Sequence, residues 1–179
     1  MTQQIIQHSS KSQEHYTPDF VLDAVRKTLG TIDLDPASSE IANKKVKAKH
    51  FYTKEDDGLS QPWHGKIFCN PPGGKVGNQS LNKLFWYKLI DEVLEERVSE
   101  AIFLAYSIEL LQTSQSHPNK RYHVASYEIC IPKKRIAYIN QDGNPQKSPP
   151  NAGMIVYVNR DMYGSLKFEK CFNHIGSII

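Results

Sequence analysis

Ile67-Phe68-Cys69-Asn70-Pro71-Pro72-Gly73-Gly74 constrains this chain more than any other stretch. A short apolar strand ends in a side-chain amide, and two prolines then stiffen the turn. Proline fixes φ and carries no N–H, so the carbonyls around Asn70-Pro71-Pro72 cannot all be consumed by local hydrogen bonds. An amide oxygen beside a stiffly held backbone carbonyl forms a pair of acceptors suited to gripping an –NH2 group. In an open α/β sheet, ligands bind beyond the carboxyl ends of the strands, and Asn70 stands at such an end. Alone, the same tripeptide is equally a plain turn after a core strand, so the rest of the chain must discriminate.

The pattern around it alternates strands and helices. Thr17 reads as an N-cap, with Pro18 at the first helical position and Gly30 as the stop. Phe20, Val21, Ala24, Val25 and Leu29 then form one apolar face of a helix over Pro18 to Leu29. Ile32 to Ala37 reads as a strand entering a turn, Ser38 or Ser39 as the cap of a short helix near Glu40 to Asn43, and Phe51 to Thr53 as a further strand. Lys54 to Pro62 is a polar loop, and Gly73 to Gln79 a glycine-rich loop bearing Lys75. Ser80 opens a long helix in which Leu81, Leu84, Phe85, Leu89, Val93 and Leu94 recur at helical spacing. Ala101 to Tyr106 is a continuous apolar run, as in a strand buried on both faces of a parallel sheet. Tyr127 to Ile131 reads as a strand. Arg135 to Asn140 and Gly153 to Val158 read as a strand pair joined by the loop Gln141 to Asn151.

Composition narrows the class. The 179 residues suffice for one domain with a real core. A flexible N-terminal arm is expected over residues 1–14, and a single domain over 15–179. With 39% hydrophobic and 23% charged residues the chain reads as soluble, and no apolar run is long enough to span a membrane. The polar N-terminus lacks the apolar core of a secretory signal. Cys69, Cys130 and Cys171 are widely spaced and odd in number, which suits a reducing cytoplasm and argues against a structural zinc site. The seven histidines show no ligand spacing, so no metal is expected. A net charge of +3 is compatible with a nucleic-acid partner.

Several features recur in one order: Tyr16-Thr17-Pro18, Leu34-Asp35-Pro36-Ala37-Ser38, Asp57-Gly58-Leu59 before Trp63, then Cys69-Asn70-Pro71-Pro72 and the late strand pair. The ordered set, from about His15 to Val158, resembles the phage-type (Dam-like) DNA N6-adenine methyltransferases, which use S-adenosylmethionine. The resemblance implies an α/β fold: a three-layer, Rossmann-like class I methyltransferase sheet, mostly parallel, with a C-terminal antiparallel hairpin. It implies cofactor contacts from Tyr16, Thr17 and Pro18, from the loop Asp35, Pro36 and Ala37 with the helix start behind it, and from Asp57 toward the adenine amine. It implies that Asn70, Pro71 and Pro72 are catalytic, the Pro71 carbonyl being the second acceptor. Implied too are double-stranded DNA as partner, a phage or prophage origin, and a place in the (host) cytoplasm.

Two positions depart from the family pattern. The cofactor loop lacks glycine, and Asp35 has a second reading as the acid that holds the cofactor ribose. Gly73 occupies the place of the aromatic that stacks on an extruded base; Phe85, Trp86, Tyr87 or the glycine-rich loop are the candidate replacements. For DNA contact the candidates are Lys75, Lys44, Lys45 and Arg135, with Asn78, Gln79, Gln112, Gln115, Asn119 and Arg121 for base readout. Each also has a plain structural reading, as a solvated face or a core helix. Other acceptors with a planar –NH2, cytosine N4 or a glutamine amide, remain open, as does a non-catalytic relative that binds DNA or a protein.

Overall fold

The apolar run after Val98 becomes the middle strand of the molecule, because both of its faces are covered. In the computed structural model, which describes residues 15–147, 151–161 and 165–179, the elements follow in this order. Helix α1 (Asp19–Leu29) leads to β1 (Leu34–Asp35), α2 (Glu40–Val46), β2 (His50–Phe51) and β3 (Gly65–Cys69). A small hairpin, β4 (Lys75–Val76) and β5 (Gln79–Ser80), precedes the long helix α3 (Leu81–Leu94) and β6 (Val98–Ala105). Then come α4 (Glu109–Thr113), three single turns of 3₁₀-helix, β7 (Glu128–Pro132), β8 (Met154–Asn159), α5 (Leu166–Phe172) and β9 (Gly176–Ile178). The arm expected over residues 1–14 lies outside the described residues.

Seven strands form one sheet in the order β2-β1-β3-β6-β8-β7-β9. Neighbours from β2 to β6 pair parallel, whereas β8 is antiparallel to both β6 and β7, and β9 is antiparallel to β7. It follows that β2, β1, β3, β6 and β7 all run one way, and only β8 and β9 run against them. This is a mostly parallel sheet with an antiparallel C-terminal region, as in methyltransferases.

Alternation along the strands makes the three layers. Ala101, Phe103 and Ala105 of β6 join Cys69, Ile129 and Val156 on the face covered by Phe85, Trp86, Leu89, Ile90 and Val93 of α3. Ile102 and Leu104 join Phe68, Cys130 and Ile155 on the other face, under Val21, Leu22, Val25 and Leu29 of α1 and Phe168 and Phe172 of α5. Trp86 is fully buried, meets Phe103 and Tyr127 edge-on, and donates its indole N–H to the Tyr122 carbonyl at 2.7 Å. The caps at Ser39 and Ser80 form as expected, accepting from the Ala42 and Lys83 N–H groups.

Several local expectations are corrected. Pro18, not Thr17, is the N-cap residue of α1, and it offers no side-chain cap; the Thr17 hydroxyl is engaged elsewhere. Phe20 stands at the edge of the α1 stripe and is half exposed, while Leu22 takes its place in the core. The segment Arg135 to Asn140 is not a strand. Both edges of β8 are already occupied, by β6 and β7, so this segment has no edge to join, and Ile139 instead forms bridges to Tyr16 and Pro145. The glycine-rich stretch is ordered into the β4–β5 hairpin, turning at Gly77 with φ of 57°. The strand expected over Phe51 to Thr53 is His50–Phe51.

Candidate active site

Because β1, β3, β6 and β7 point the same way, their carboxyl ends lie along one edge of the sheet. That edge collects Asp35-Pro36-Ala37, Asn70-Pro71-Pro72, Tyr106 and the basic run Lys133-Lys134-Arg135. It is the edge at which open α/β sheets bind ligands.

Asn70 follows β3 directly, and its side chain is fixed from one side. The amide Nδ2 donates to Thr17 Oγ1 at 3.2 Å. Thr17 is itself buried, and the segment before α1 is pinned by paired backbone bonds between Tyr16 and Ile139, 2.7 and 2.9 Å long. Tying down the NH2 end of the amide leaves Oδ1 as the free end. Among the described residues neither Asn70 Oδ1 nor the Pro71 carbonyl has a hydrogen-bond partner. Two acceptors beside a rigid Pro-Pro turn therefore remain available. Thr17, expected from the resemblance to contact the cofactor, accepts from Asn70 through its hydroxyl.

The second cluster forms around β1. Asp35 is buried and accepts from the Ala37 N–H at 3.2 Å. Among the described residues no cation faces it, and burial pushes its carboxyl up to about 7, against the smaller lowering effects of the Ala37 N–H and the Ser38 hydroxyl. The loop carrying Asp57 is pressed onto the same turn: a Cβ at Gly58 would stand 1.9 Å from the Pro36 carbonyl oxygen, so only glycine lets the two backbones approach. Trp63, fully buried, donates to the Gly58 carbonyl at 2.7 Å and holds the loop there. The two neighbouring acids then divide. Asp56 is used by the Thr53 N–H and hydroxyl, both at 2.8 Å, which hold its carboxyl low. Asp57, exposed and with φ of 51°, keeps its carboxylate without a partner among the described residues.

The other candidates are dispersed. Lys45 makes an exposed ion pair with Asp19 at 3.4 Å, and Lys44 precedes it in the last turn of α2. Lys75 is exposed on β4, immediately after the Asn-Pro-Pro turn, and Arg135 lies in the extended stretch following β7. Phe85 and Trp86 are core residues and do not reach the edge; Tyr87 packs against His117 and Tyr122. Burial in the core keeps Phe85 and Trp86 from replacing the aromatic missing at Gly73. Sequence reasoning passed over Tyr106 and Tyr138. The signal was available: Tyr106 is the last residue of the apolar run and the first to leave the core, 41% exposed. Among the described residues no group of His, Cys, Asp and Glu has the arrangement of a metal site. No helix is long and apolar enough to cross a membrane.

The fold defines the class first, an α/β methyltransferase sheet with candidate binding residues at its carboxyl edge. A family model described as DNA N-6-adenine-methyltransferase (Dam) matches residues 6–173. The match covers nearly the whole chain, and the protein belongs to that family. No curated protein matches it.

Proposed function

We propose that this protein transfers a methyl group from S-adenosylmethionine to the N6 amino group of adenine in DNA, with Asn70 and Pro71 gripping the amine. The observation that carries the reading is the Thr17–Asn70 hydrogen bond, which holds Nδ2 and leaves Oδ1 beside the Pro71 carbonyl, both without a partner among the described residues.

The donor set suits the cofactor. Among the described residues neither Asp35 nor Asp57 forms an ion pair, so their oxygens are matched to hydroxyl and amine hydrogens, of which a nucleoside has several. In this reading Asp35 accepts from the ribose hydroxyls and Asp57 from the adenine amine. Pro36 and Ala37 shape the turn between them, and Tyr16, Thr17 and Pro18 close the methionine side. When bound, S-adenosylmethionine supplies an electrophilic methyl group.

The chain's own contribution is positioning and electrostatics. Asn70 Oδ1 and the Pro71 carbonyl each accept one hydrogen of the exocyclic amine. Both hydrogens bonded to acceptors that stand out of the ring plane turn the nitrogen lone pair away from conjugation and toward the methyl. Pro72 keeps the turn rigid, so little entropy is lost when the amine binds. Lys75, with Lys44, Lys45 and Arg135, contributes phosphate attraction that requires no sequence specificity.

Asn70→Ala tests the assignment. Transfer to DNA should fall by at least about 100-fold, as for loss of one preorganised catalytic hydrogen-bonding group, while calorimetric affinity for S-adenosylmethionine stays near the parental value. Parental transfer by the variant would show that another group holds the amine.

A further inference from the structure

The turn after Asn70 offers no wall for a base. Gly73 has nothing within 4 Å of the place where a Cβ would stand, and Phe85 and Trp86 are committed to the core. A base held out of a duplex is normally flanked by an aromatic or apolar face. The neighbouring strand provides one. We propose that Tyr106 is the stacking residue of this site, the ring on which the acceptor base lies while Asn70 and Pro71 hold its amine; the inference rests on the reading of Asn70 given above.

Three observations place Tyr106 there. The first is register. Cys69 of β3 pairs with Phe103 of β6, and β6 continues through Ala105, so Tyr106 emerges at the level of the Asn-Pro-Pro turn. The second is side. Ile102 and Leu104 point to the α1 face of the sheet, as does Phe68 on β3. Period-two alternation puts Tyr106 and Asn70 on that same face, where Thr17 meets Asn70. The third is surroundings. Tyr106 is 41% exposed, which leaves ring surface to cover, and it lies close enough to Tyr138 to help raise that phenol. Tyr138 is packed against the α1-side core and buried strongly enough to be pushed well above the ordinary tyrosine range. Its own segment is tied through Ile139 to Tyr16. Tyr106 thus stands near Tyr138 and keeps part of its ring open to solvent. The geometry suits a ring that receives a planar partner on its outer face.

The test compares Tyr106→Ala with Tyr106→Phe, using two readouts. The first is binding, by fluorescence anisotropy, to a duplex with one unpaired adenine and to its fully paired counterpart. The second is the kcat and KM of methyl transfer to DNA. Wild type should prefer the unpaired adenine. Tyr106→Ala should lose about 5- to 150-fold of affinity for that duplex, the range expected when a base–aromatic stack is removed, with a matching rise in KM. Tyr106→Phe should stay within about twofold of the parent, since the ring carries the stack and the hydroxyl does not. Calorimetric affinity for S-adenosylmethionine should be unchanged in both. Equal losses in the Ala and Phe variants would assign the role to the hydroxyl and overturn stacking. An alanine variant with parental preference and parental KM would overturn it as well, while leaving the Asn70 reading intact. Tyr106-dependent binding of the unpaired adenine in a protein that transfers no methyl would do the reverse: stacking would stand and the proposed reaction would fall.

Discussion

Thr17 and Asn70 lie 53 positions apart in the chain and meet through one hydrogen bond. Neither a helix-cap rule nor a motif pattern contains that pairing, which exists only because α1 packs on the sheet face next to β3. The Asn-Pro-Pro turn itself was legible from the residues, since proline's lack of an N–H is a local property. The orientation of its amide was not. Thr17→Val keeps the volume and removes the acceptor. A net side-chain hydrogen bond is worth about 0.5–1.5 kcal/mol, so kcat should drop about 3- to 10-fold, as steady-state kinetics can establish. Asp35 belongs to the same scale. With its carboxyl at about 7 in the native state, against an ordinary 3.8, the folded chain retains a proton that the unfolded chain releases. The contribution to stability is therefore full below about pH 4 and is lost as the pH rises through about 7, by up to about 4 kcal/mol. Denaturant titrations of wild type and Asp35→Asn should diverge across that window, the variant losing less stability on going from acid to neutral pH. Affinity for S-adenosylmethionine should rise across the same window in the wild type, as the carboxylate becomes free to accept from ribose hydroxyls, and should stay flat in the variant.

Elements carried most of what the sequence made readable. The long helix after Ser80 announced itself by periodicity and β6 by its continuous apolar run, because both contribute buried apolar side chains to the core. The segment Arg135 to Asn140 misled for an equally physical reason. Its composition suits a strand, but strand formation needs a free edge, and sheet order is a property of the whole fold. The hairpin of β4 and β5 was hidden behind its glycines, which read as a loop although Gly77 simply supplies the positive φ of a tight turn. The close approach of Gly58 to Pro36 is an element-scale device: it docks the Asp57 loop on the β1 turn. Gly58→Ala would force a Cβ to within 1.9 Å of a carbonyl oxygen. The loop must then move off, and affinity for S-adenosylmethionine should fall by about tenfold or more, a loss of at least about 1.4 kcal/mol, while Trp86 and the α3 core remain in place. Trp86→Ala acts on the other layer and should cost about 3–5 kcal/mol of stability, as for large core truncations.

At the scale of the whole molecule, the parallel direction of five strands turns scattered residues into one edge. Asp35, Asn70 and Tyr106 come from three different strands, each at its carboxyl end, and Lys75 stands on the hairpin beside them. The family match over residues 6–173 agrees with that architecture. Of the DNA candidates, Lys75 is the one next to the Asn-Pro-Pro turn, whereas Lys45 already faces Asp19. Lys75→Ala should weaken binding to all DNA sequences alike and lower the slope of log affinity against log salt by about 1, the mark of a single lysine–phosphate ion pair removed. The most direct test of the central claim is a transfer assay with labelled S-adenosylmethionine and unmethylated DNA, followed by mass spectrometry of the nucleosides. The account predicts N6-methyldeoxyadenosine from the wild type and close to none from Asn70→Ala. Label on cytosine N4, or no label in DNA from a wild type that still binds the cofactor, would contradict it.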